Sequence, residues 1–220
     1  MQLFLDSADE KQVKYWLGQG VLDGVTTNPS VLFRDGVVDP LPALESLARL
    51  TAPGVLHAEV TVPRGAELVH QGIELSQLAD NIAVKVPVQT PDGAPCLAEI
   101  HELSSAGVAV NSTACLSFGQ AALAAKAGAS YLSILVGRID DEGGDGAAVI
   151  RDLRRWLDDW QVDAKIIAAS VRGTADVRRS MTAGAHCVTV PPAVLAKLAD
   201  HKYSRHTVQQ FLDDARAVAG

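Results

Sequence analysis

The chain has 220 residues, of which 48% are hydrophobic and 20% are charged. This length and composition are typical of one globular domain and exclude an intrinsically disordered chain. Nineteen Lys and Arg residues against 26 Asp and Glu residues give a net charge of −7. That charge argues against a nucleic-acid-binding protein, because such proteins usually carry a basic surface. It is compatible with small phosphorylated ligands, which need only a few local cations.

The sequence also predicts where the protein resides. Residues 1–6 contain no basic segment and reach an acidic residue at Asp6, so we do not expect a signal peptide. No apolar run approaches the length of about 18 residues that predicts a membrane span. Cys96, Cys115 and Cys187 are odd in number and far apart, which is typical of reduced thiols rather than a disulfide framework or a zinc site. We therefore expect a cytoplasmic protein.

Short apolar runs rich in β-branched residues alternate along the chain with segments of helical periodicity. Predicted strands cover residues 2–6, 24–27, 55–60, 82–86, 108–113, 131–136, 165–169 and 187–190. Predicted helices cover residues 9–17, 40–50, 65–78, 94–105, 117–127, 144–160, 174–183 and 192–199, followed by an amphipathic segment at 204–218. The strands are almost continuously hydrophobic, which is typical of parallel strands covered on both faces.

This alternation predicts an α/β fold in which residues 1–220 form a single domain. Eight strands, rather than five or six, favour a closed (β/α)8 TIM barrel with an additional C-terminal helix. A doubly wound open sheet is the alternative, because alternation alone does not establish closure.

Catalytic groups of such barrels lie at the carboxyl ends of the strands, and nearly every predicted strand end here carries a polar residue. The candidates are Asp6, Thr26, Thr27, Asn28, Glu59, Lys85, Asn111, Thr113, Ser133, Arg138, Ser170 and Arg172.

Lys85 is the most informative of these residues, because it lies in the middle of an apolar strand. Burial of a lysine is costly unless its charge is paired or lost, and the neutral amine can attack a carbonyl. The structural alternative is a lysine that extends from an edge strand to solvent or bonds a buried carboxylate. Asp6 and Glu59 are acids in otherwise apolar strands, and each could move protons near such an amine. They could equally be structural partners of Lys85, or a helix cap in the case of Asp6.

The other candidates favour binding of a phosphorylated sugar. Asn28 offers an amide to sugar hydroxyls, although Asn-Pro also commonly opens a loop. Arg138 and Arg172 suit a phosphate site at the late strands of a barrel, with surface salt bridges as the alternative. His57 and Glu59 share one face of a strand, but no suitable third ligand is placed to complete a metal site, so we expect no metal and no cofactor.

Four segments, residues 3–8, 24–30, 84–87 and 136–140, resemble the transaldolase family. They are most similar to its short-chain subfamily, which also contains fructose-6-phosphate aldolase. The resemblance covers essentially the whole chain in order, and the blocks Thr-Thr-Asn-Pro-Ser and Val-Lys-Val-Pro are highly specific together.

The resemblance implies roles for matching positions. Lys85 matches the lysine that forms a Schiff base, and Asp6 matches the acid that assists cleavage. Glu59 and Thr113 match the pair that holds the catalytic water. Asn28 and Ser133 match groups that bind the dihydroxyacetone unit. Arg138, Ser170 and Arg172 match the phosphate site. Thr27 and Asn111, polar residues near the ends of predicted strands, are further expected substrate-binding residues.

Three positions bear on the subfamily. At position 59 the chain resembles transaldolases, which also carry Glu there, whereas fructose-6-phosphate aldolases carry Gln. Leu135 stands where transaldolases have Phe and the aldolases have Tyr, and Val171 replaces a frequent Phe. These two departures affect the substrate more than the mechanism.

The predicted activity is therefore transfer of a dihydroxyacetone unit from sedoheptulose 7-phosphate or fructose 6-phosphate to an aldose phosphate, in the pentose phosphate pathway. The resemblance also implies a homo-oligomer, a pentamer or decamer, in which the C-terminal helix contacts a neighbour. The alternatives are a fructose-6-phosphate aldolase-type lyase, a transaldolase for an unusual ketose, a barrel that binds a sugar phosphate without turnover, and a metal-dependent barrel enzyme.

Overall fold

The computed structural model describes residues 1–219 and contains a closed barrel of parallel strands, which confirms the predicted fold. Each strand pairs with the next in chain order, and the last pairs with the first. The strands are β1 (Gln2–Asp6), β2 (Gly24–Thr26), β3 (Val55–Glu59), β4 (Ile82–Pro87), β5 (Val110–Cys115), β6 (Tyr131–Leu135), β7 (Lys165–Ala169) and β8 (Cys187–Val190). The open-sheet alternative is wrong, because closure leaves no edge strand.

Helices follow the strands around the outside of the barrel. They are α1 (Glu10–Gly18), α2 (Pro29–Arg34), α3 (Pro40–Thr51), α4 (Ala66–Gln77), α5 (Leu97–Ser105), α6 (Phe118–Lys126), α7 (Val136–Asp141), α8 (Gly146–Asp159), α9 (Thr174–Thr182), α10 (Pro192–Ala199) and α11 (Lys202–Ala219).

Two short helices differ from the sequence prediction. The segment after Asn28 is not a loop but helix α2, in which the Asn28 side chain accepts a hydrogen bond from the Val31 N–H at 2.9 Å. Helix α7 follows β6 directly, where the sequence predicts only the end of a strand. Each of these helices has six residues, which is too short for an amphipathic period to be recognised.

Strand β5 lies two residues later than predicted. It ends at Cys115 rather than Thr113, and its register with β6 shifts between Ser112 and Cys115. Ala114 has a φ of +58° there, a left-handed conformation that non-glycine residues rarely adopt. The irregularity brings both Thr113 and Ala114 to the same cavity.

Alternate residues of the strands face two separate environments. Outward side chains such as Leu5, Leu56 and Ile166 form the main hydrophobic core with the surrounding helices. Inward side chains form a second cluster deep in the barrel, made of Phe4, Ile167 and Cys187 with Val55 and Tyr131 packed against them. Nearer the carboxyl ends, the inward side chains are polar, and they line an open cavity.

The three cysteines lie in the interior and none forms a disulfide, as expected. Burial raises the pKa of both Cys115 and Cys187 to about 12. Thiols held in the protonated form are poor nucleophiles, so these cysteines contribute packing rather than reactivity.

The C-terminal helix α11 packs differently from the other helices. None of its side chains from Lys202 to Ala219 is buried, and its apolar residues are exposed. These exposed residues are Tyr203, Val208, Phe211, Leu212 and Val218. Within residues 1–219, no helix combines the length and the apolar character needed to cross a membrane.

Candidate active site

A cavity of about 520 Å³ opens at the carboxyl ends of the barrel strands. Its volume is in the range of small-molecule sites, and its position is where active sites of (β/α)8 barrels lie. The lining residues are Asp6, Thr26, Asn28, Pro29, Ser30, Val31, Arg34, Glu59, Lys85, Thr113, Ala114, Ser133, Leu135, Arg138, Ala169, Ser170 and Thr189.

Lys85 lies at the base of this cavity and is only 6% exposed. Glu59 and Lys85 are register partners on β3 and β4, so both side chains point into the barrel. The Lys85 Nζ lies 2.9 Å from Glu59 Oε2 and donates a hydrogen bond of 2.7 Å to the Thr27 carbonyl. The lysine charge is therefore paired. The alternative in which Lys85 extends from an edge strand to solvent is wrong. The carboxylate partner lines the same cavity, so pairing and exposure to a ligand occur together.

Asp6 reaches the cavity from β1. Its Oδ1 accepts a hydrogen bond of 3.0 Å from Thr26 Oγ1, which in turn lies 2.5 Å from Thr189 Oγ1. Burial raises the pKa of the Asp6 carboxyl, while the positive charge of Lys85 acts in the opposite direction. A carboxyl group with a raised pKa beside a lysine is suited to proton transfer near neutral pH.

Three polar side chains form a chain of hydrogen bonds through the barrel interior. Ser133 Oγ donates to Asn111 Oδ1 at 2.9 Å, and Asn111 Nδ2 lies 3.1 Å from His57 Nδ1. Burial lowers the pKa of His57 to about 3, so its imidazole is neutral and Nδ1 can accept from the amide. Ser133 lines the cavity, whereas Asn111 is fully buried behind it. The structure therefore places Asn111 as a support for Ser133.

Thr27 also lies behind the cavity. Its side chain is fully buried and Oγ1 donates to the His57 carbonyl at 2.9 Å, while its own carbonyl accepts from Lys85. Asn28, one residue later, does line the cavity. Because Asn28 Oδ1 caps helix α2, the NH₂ group of its amide is the part available to a ligand.

The late strands place one arginine and one serine at the cavity. Arg138, in α7, is exposed and makes no ion pair within 4 Å among residues 1–219. Ser170 follows β7 with a φ of +59°, a strained conformation of the kind found at functional sites. Gly137 permits their approach, since a Cβ at that position would lie 2.2 Å from the Ser170 carbonyl oxygen.

Arg172 is not among the residues that line the cavity. Its guanidinium forms a two-point ion pair with Asp141, and its backbone N–H donates to Asp176 Oδ2 at 3.1 Å. The sequence left two alternatives for Arg172, a phosphate site and a surface salt bridge. In the structure this residue forms the surface salt bridge.

Arg34 is a cavity residue that sequence reasoning missed. It lies at the end of α2, and its side chain is about half exposed at the cavity mouth. The signal available in the sequence was weak, because the helix that carries Arg34 back over β1 was itself not predicted.

The residues considered for a metal site do not form one. Within residues 1–219, no group of three or more His, Cys, Asp or Glu side chains is placed to hold a metal ion. His57 packs between the rings of Phe4 and Tyr131, with centroid distances of 5.1 and 4.8 Å.

The fold and the cavity together define a (β/α)8-barrel protein with a lysine-centred site. Residues 3–219 match the family model described as Transaldolase/Fructose-6-phosphate aldolase. A probable transaldolase of Caulobacter vibrioides is 39% identical over 216 residues, which are 97% of this chain and 96% of the relative. Probable transaldolases of Chelativorans sp. and Lactiplantibacillus plantarum are 41% and 38% identical over similar coverage. The chain belongs to the transaldolase/fructose-6-phosphate aldolase family, which supports a transaldolase-type activity.

Among solved structures, the chain is similar to a thiamine phosphate pyrophosphorylase from Pyrococcus furiosus. The TM-score is 0.60 and the sequence identity 16%, with 88% of this chain and 86% of that chain covered. At this identity the similarity concerns the barrel fold alone.

Proposed function

We propose that this protein is a transaldolase that transfers a dihydroxyacetone unit from a ketose phosphate to an aldose phosphate through a Schiff base on Lys85. The observation that carries the proposal is the arrangement around Lys85 Nζ, which is buried at the base of the cavity, lies 2.9 Å from Glu59 Oε2, and acts through its positive charge on the carboxyl of Asp6. Sedoheptulose 7-phosphate and fructose 6-phosphate are the proposed donors, as part of the pentose phosphate pathway.

The first step requires a free amine. Proton transfer from Lys85 to Glu59 along their hydrogen bond releases the lone pair, which attacks the C2 carbonyl of the ketose. The resulting carbinolamine loses water as the protonated imine forms. Glu59 and Thr113 are proposed to hold that water, because both line the cavity beside Lys85.

The second step breaks a carbon–carbon bond. Asp6 takes the proton of the C4 hydroxyl, the C3–C4 bond breaks, and its electron pair moves into the iminium to form an enamine. The C4 hydroxyl becomes the aldehyde of the released aldose phosphate. The raised pKa of Asp6 makes it a stronger base than an ordinary carboxylate, which suits this step.

The third step reverses the second with a new aldehyde. The enamine attacks the carbonyl carbon of the acceptor, Asp6 returns its proton to the new hydroxyl, and water hydrolyses the imine to release the product from Lys85. Transfer dominates as long as the enamine is not protonated and hydrolysed first.

Substrate binding is assigned to the rest of the cavity wall. Asn28 and Ser133 are proposed to bind the hydroxyl groups of the three-carbon unit, with Thr27 and Asn111 as supports from behind. Arg138 and Ser170 are proposed to bind the phosphate group, since both line the cavity on the side of the late strands. Arg172 can join them only if it leaves Asp141.

One observation favours a second candidate within the same chemistry. Leu135 lines the cavity and offers neither an aromatic ring nor a hydroxyl, so this wall would accept a donor of different shape. A transaldolase for an unusual ketose, or an aldolase that releases free dihydroxyacetone, is therefore the alternative.

We also propose a cytoplasmic homo-oligomer in which α11 contacts a neighbouring copy. The exposed apolar side chains of α11, including Phe211 at 64% exposure, would be covered by such a contact. Light scattering of the intact protein, compared with a Phe211→Glu variant, tests this. A monomer in both samples would contradict the proposal.

An assay of three-carbon transfer tests the activity. Purified protein is incubated with fructose 6-phosphate, with and without erythrose 4-phosphate, while sedoheptulose 7-phosphate is followed directly. A parallel sample is reduced with borohydride to trap the imine. Lys85→Met should abolish both turnover and trapping. Lys165→Met serves as a matched control, because Lys165 is an exposed lysine at the opposite end of a barrel strand.

Each outcome has a distinct meaning. Transfer that needs the acceptor and is lost in Lys85→Met supports a transaldolase. Release of dihydroxyacetone without acceptor supports the aldolase alternative. A trapped adduct without turnover retains the lysine chemistry but rejects these sugars, whereas neither adduct nor turnover with a range of ketose phosphates refutes the Schiff base.

A further inference from the structure

We infer that Arg34 is a positioning residue for Asp6, which it holds in place from the mouth of the cavity and to which it presents a fixed positive charge. The inference rests on the proposed role of Asp6 as the base of the cleavage step. It concerns a residue at the end of α2 that would act through Asp6 rather than on the substrate.

Arg34 contacts the backbone that carries Asp6. Its Nη2 donates a hydrogen bond of 3.1 Å to the carbonyl oxygen of Asp6 itself. Because Asp6 is the last residue of β1, this contact adds to the pairing with β2 in limiting movement of the Asp6 side chain.

Asp35 fixes the guanidinium in this orientation. Its Oδ1 accepts a hydrogen bond from Arg34 Nε at 2.7 Å, and its Oδ2 accepts one from Arg34 Nη2 at 3.1 Å. The same Oδ2 accepts from Ser7 Oγ and from the Ala8 N–H, both at 2.8 Å. We call this set of contacts the Arg34–Asp35 clamp. It joins the end of α2 to the last residue of β1 and to the two residues that follow it, and it is built around Asp35, whose side chain is only 12% exposed.

The clamp also brings charge to Asp6. The charged groups that act on the Asp6 carboxyl are Lys85 from β4, Arg34 from α2 and Asp35 just after α2, while Thr26 from β2 donates a hydrogen bond. Burial raises the pKa of Asp6, the positive charges of Lys85 and Arg34 oppose that rise, and the negative charge of Asp35 adds to it. The protonated imine on Lys85 loses its positive charge when the enamine forms, whereas Arg34 stays charged throughout the reaction and continues to favour the carboxylate.

The sign of the effect follows directly. Removal of Arg34 takes away a charge that favours ionised Asp6, so the pKa of Asp6 should rise. As the pH is lowered, the carboxylate should then be protonated, and activity lost, at a higher pH than in the wild type. Since Arg34 is about half exposed, we expect a shift of about half a pH unit rather than the larger shifts of buried pairs.

The test uses Arg34→Gln and Arg34→Met as removal variants and Arg34→Lys as the conservative variant. Arg49→Gln is the control, because it removes an equal charge from an exposed pair with Glu45 on α3. For each intact protein, kcat and KM with fructose 6-phosphate and erythrose 4-phosphate are measured against pH. Infrared titration follows the C=O stretch of the protonated Asp6 carboxyl, assigned by its loss in Asp6→Asn.

The expected result is an acid limb of kcat/KM that moves up by about half a pH unit in both removal variants, with the infrared midpoint moving equally. In these two variants, KM measured at pH values well above the acid limb should change less than twofold, and borohydride should still trap the imine. Arg34→Lys should recover most of the shift, and Arg49→Gln should have the pH profile of the wild type. A raised KM with an unmoved limb and midpoint would overturn the inference and make Arg34 a substrate ligand.

Failure of the proposed function gives a different pattern. In that case wild-type protein forms no adduct, and no pH–rate profile exists. The infrared midpoint of Asp6 still decides the role of Arg34, because it is measured without substrate: an unmoved midpoint in Arg34→Gln and Arg34→Met refutes the inference.

Discussion

The two arginines near the late strands should contribute unequally to binding of a phosphorylated sugar. Arg138 lines the cavity and has no ion-pair partner within 4 Å among residues 1–219, whereas Arg172 is held by Asp141 outside the cavity wall. Replacing each arginine by Gln removes the charge while keeping a polar side chain. The comparison therefore isolates the difference between a free cation and an engaged one.

The expected magnitudes follow from the cost of each contact. A charge-assisted hydrogen bond to a phosphate contributes about 1.5–3 kcal/mol, so Arg138→Gln should lower kcat/KM for fructose 6-phosphate by about 10- to 100-fold. Arg172 must first leave Asp141, in a pair whose side chains are 55% and 48% exposed. Breaking such a surface pair costs up to about 1 kcal/mol, a factor of about five, which leaves a loss of about 2- to 20-fold for Arg172→Gln.

A third variant tests the reason for this difference. Asp141→Asn releases Arg172, so phosphate binding should improve by up to about fivefold, the equivalent of the pair energy. The assay compares kcat/KM for fructose 6-phosphate with that for unphosphorylated fructose, which corrects for general damage to the site. An equal or larger loss in Arg172→Gln than in Arg138→Gln, specific to the phosphorylated sugar, would refute the reasoning.

Three further predictions concern stability. Lys85→Met should lower the free energy of unfolding in urea by about 1–3 kcal/mol, because it leaves Glu59 without its partner. The double variant Lys85→Met/Glu59→Gln should recover about 1 kcal/mol of this loss, and a Lys85→Met protein as stable as the wild type would contradict the ion pair. Gly137→Ala should cost at least about 2 kcal/mol and also lower kcat/KM, because its Cβ would lie 2.2 Å from the Ser170 carbonyl oxygen; a variant as stable and active as wild type would exclude this close approach. The pKa of His57 is about 3, below its value in the unfolded chain, so the unfolded state binds more protons and stability should fall as pH drops below about 6.5, by up to about 1.4 kcal/mol per pH unit. Urea titrations of wild type and His57→Gln between pH 4 and 7 check this, and parallel curves would show that His57 is not the cause.

The amino-acid sequence by itself predicted the barrel and the residues proposed as its reactive centre. Eight almost continuously apolar strands favour a closed barrel over an open sheet, and a lysine in the middle of such a strand indicates a site whichever neighbours it has. Asp6, Glu59 and Lys85 could be named because each interrupts an apolar strand, a signal carried within a few residues of the chain.

The tertiary structure decided which polar residues actually face the cavity. Thr27 and Asn111 end strands like the other candidates, yet side-chain direction and burial place them behind the wall, where they support Lys85 and Ser133. Arg172 forms an ion pair with Asp141, 31 residues earlier in the chain, and does not line the cavity. Arg34 lines the cavity because it lies at the end of a six-residue helix. Local sequence patterns report the preferences of neighbouring residues, but an ion pair or a cavity wall depends on elements that meet only after the barrel has closed.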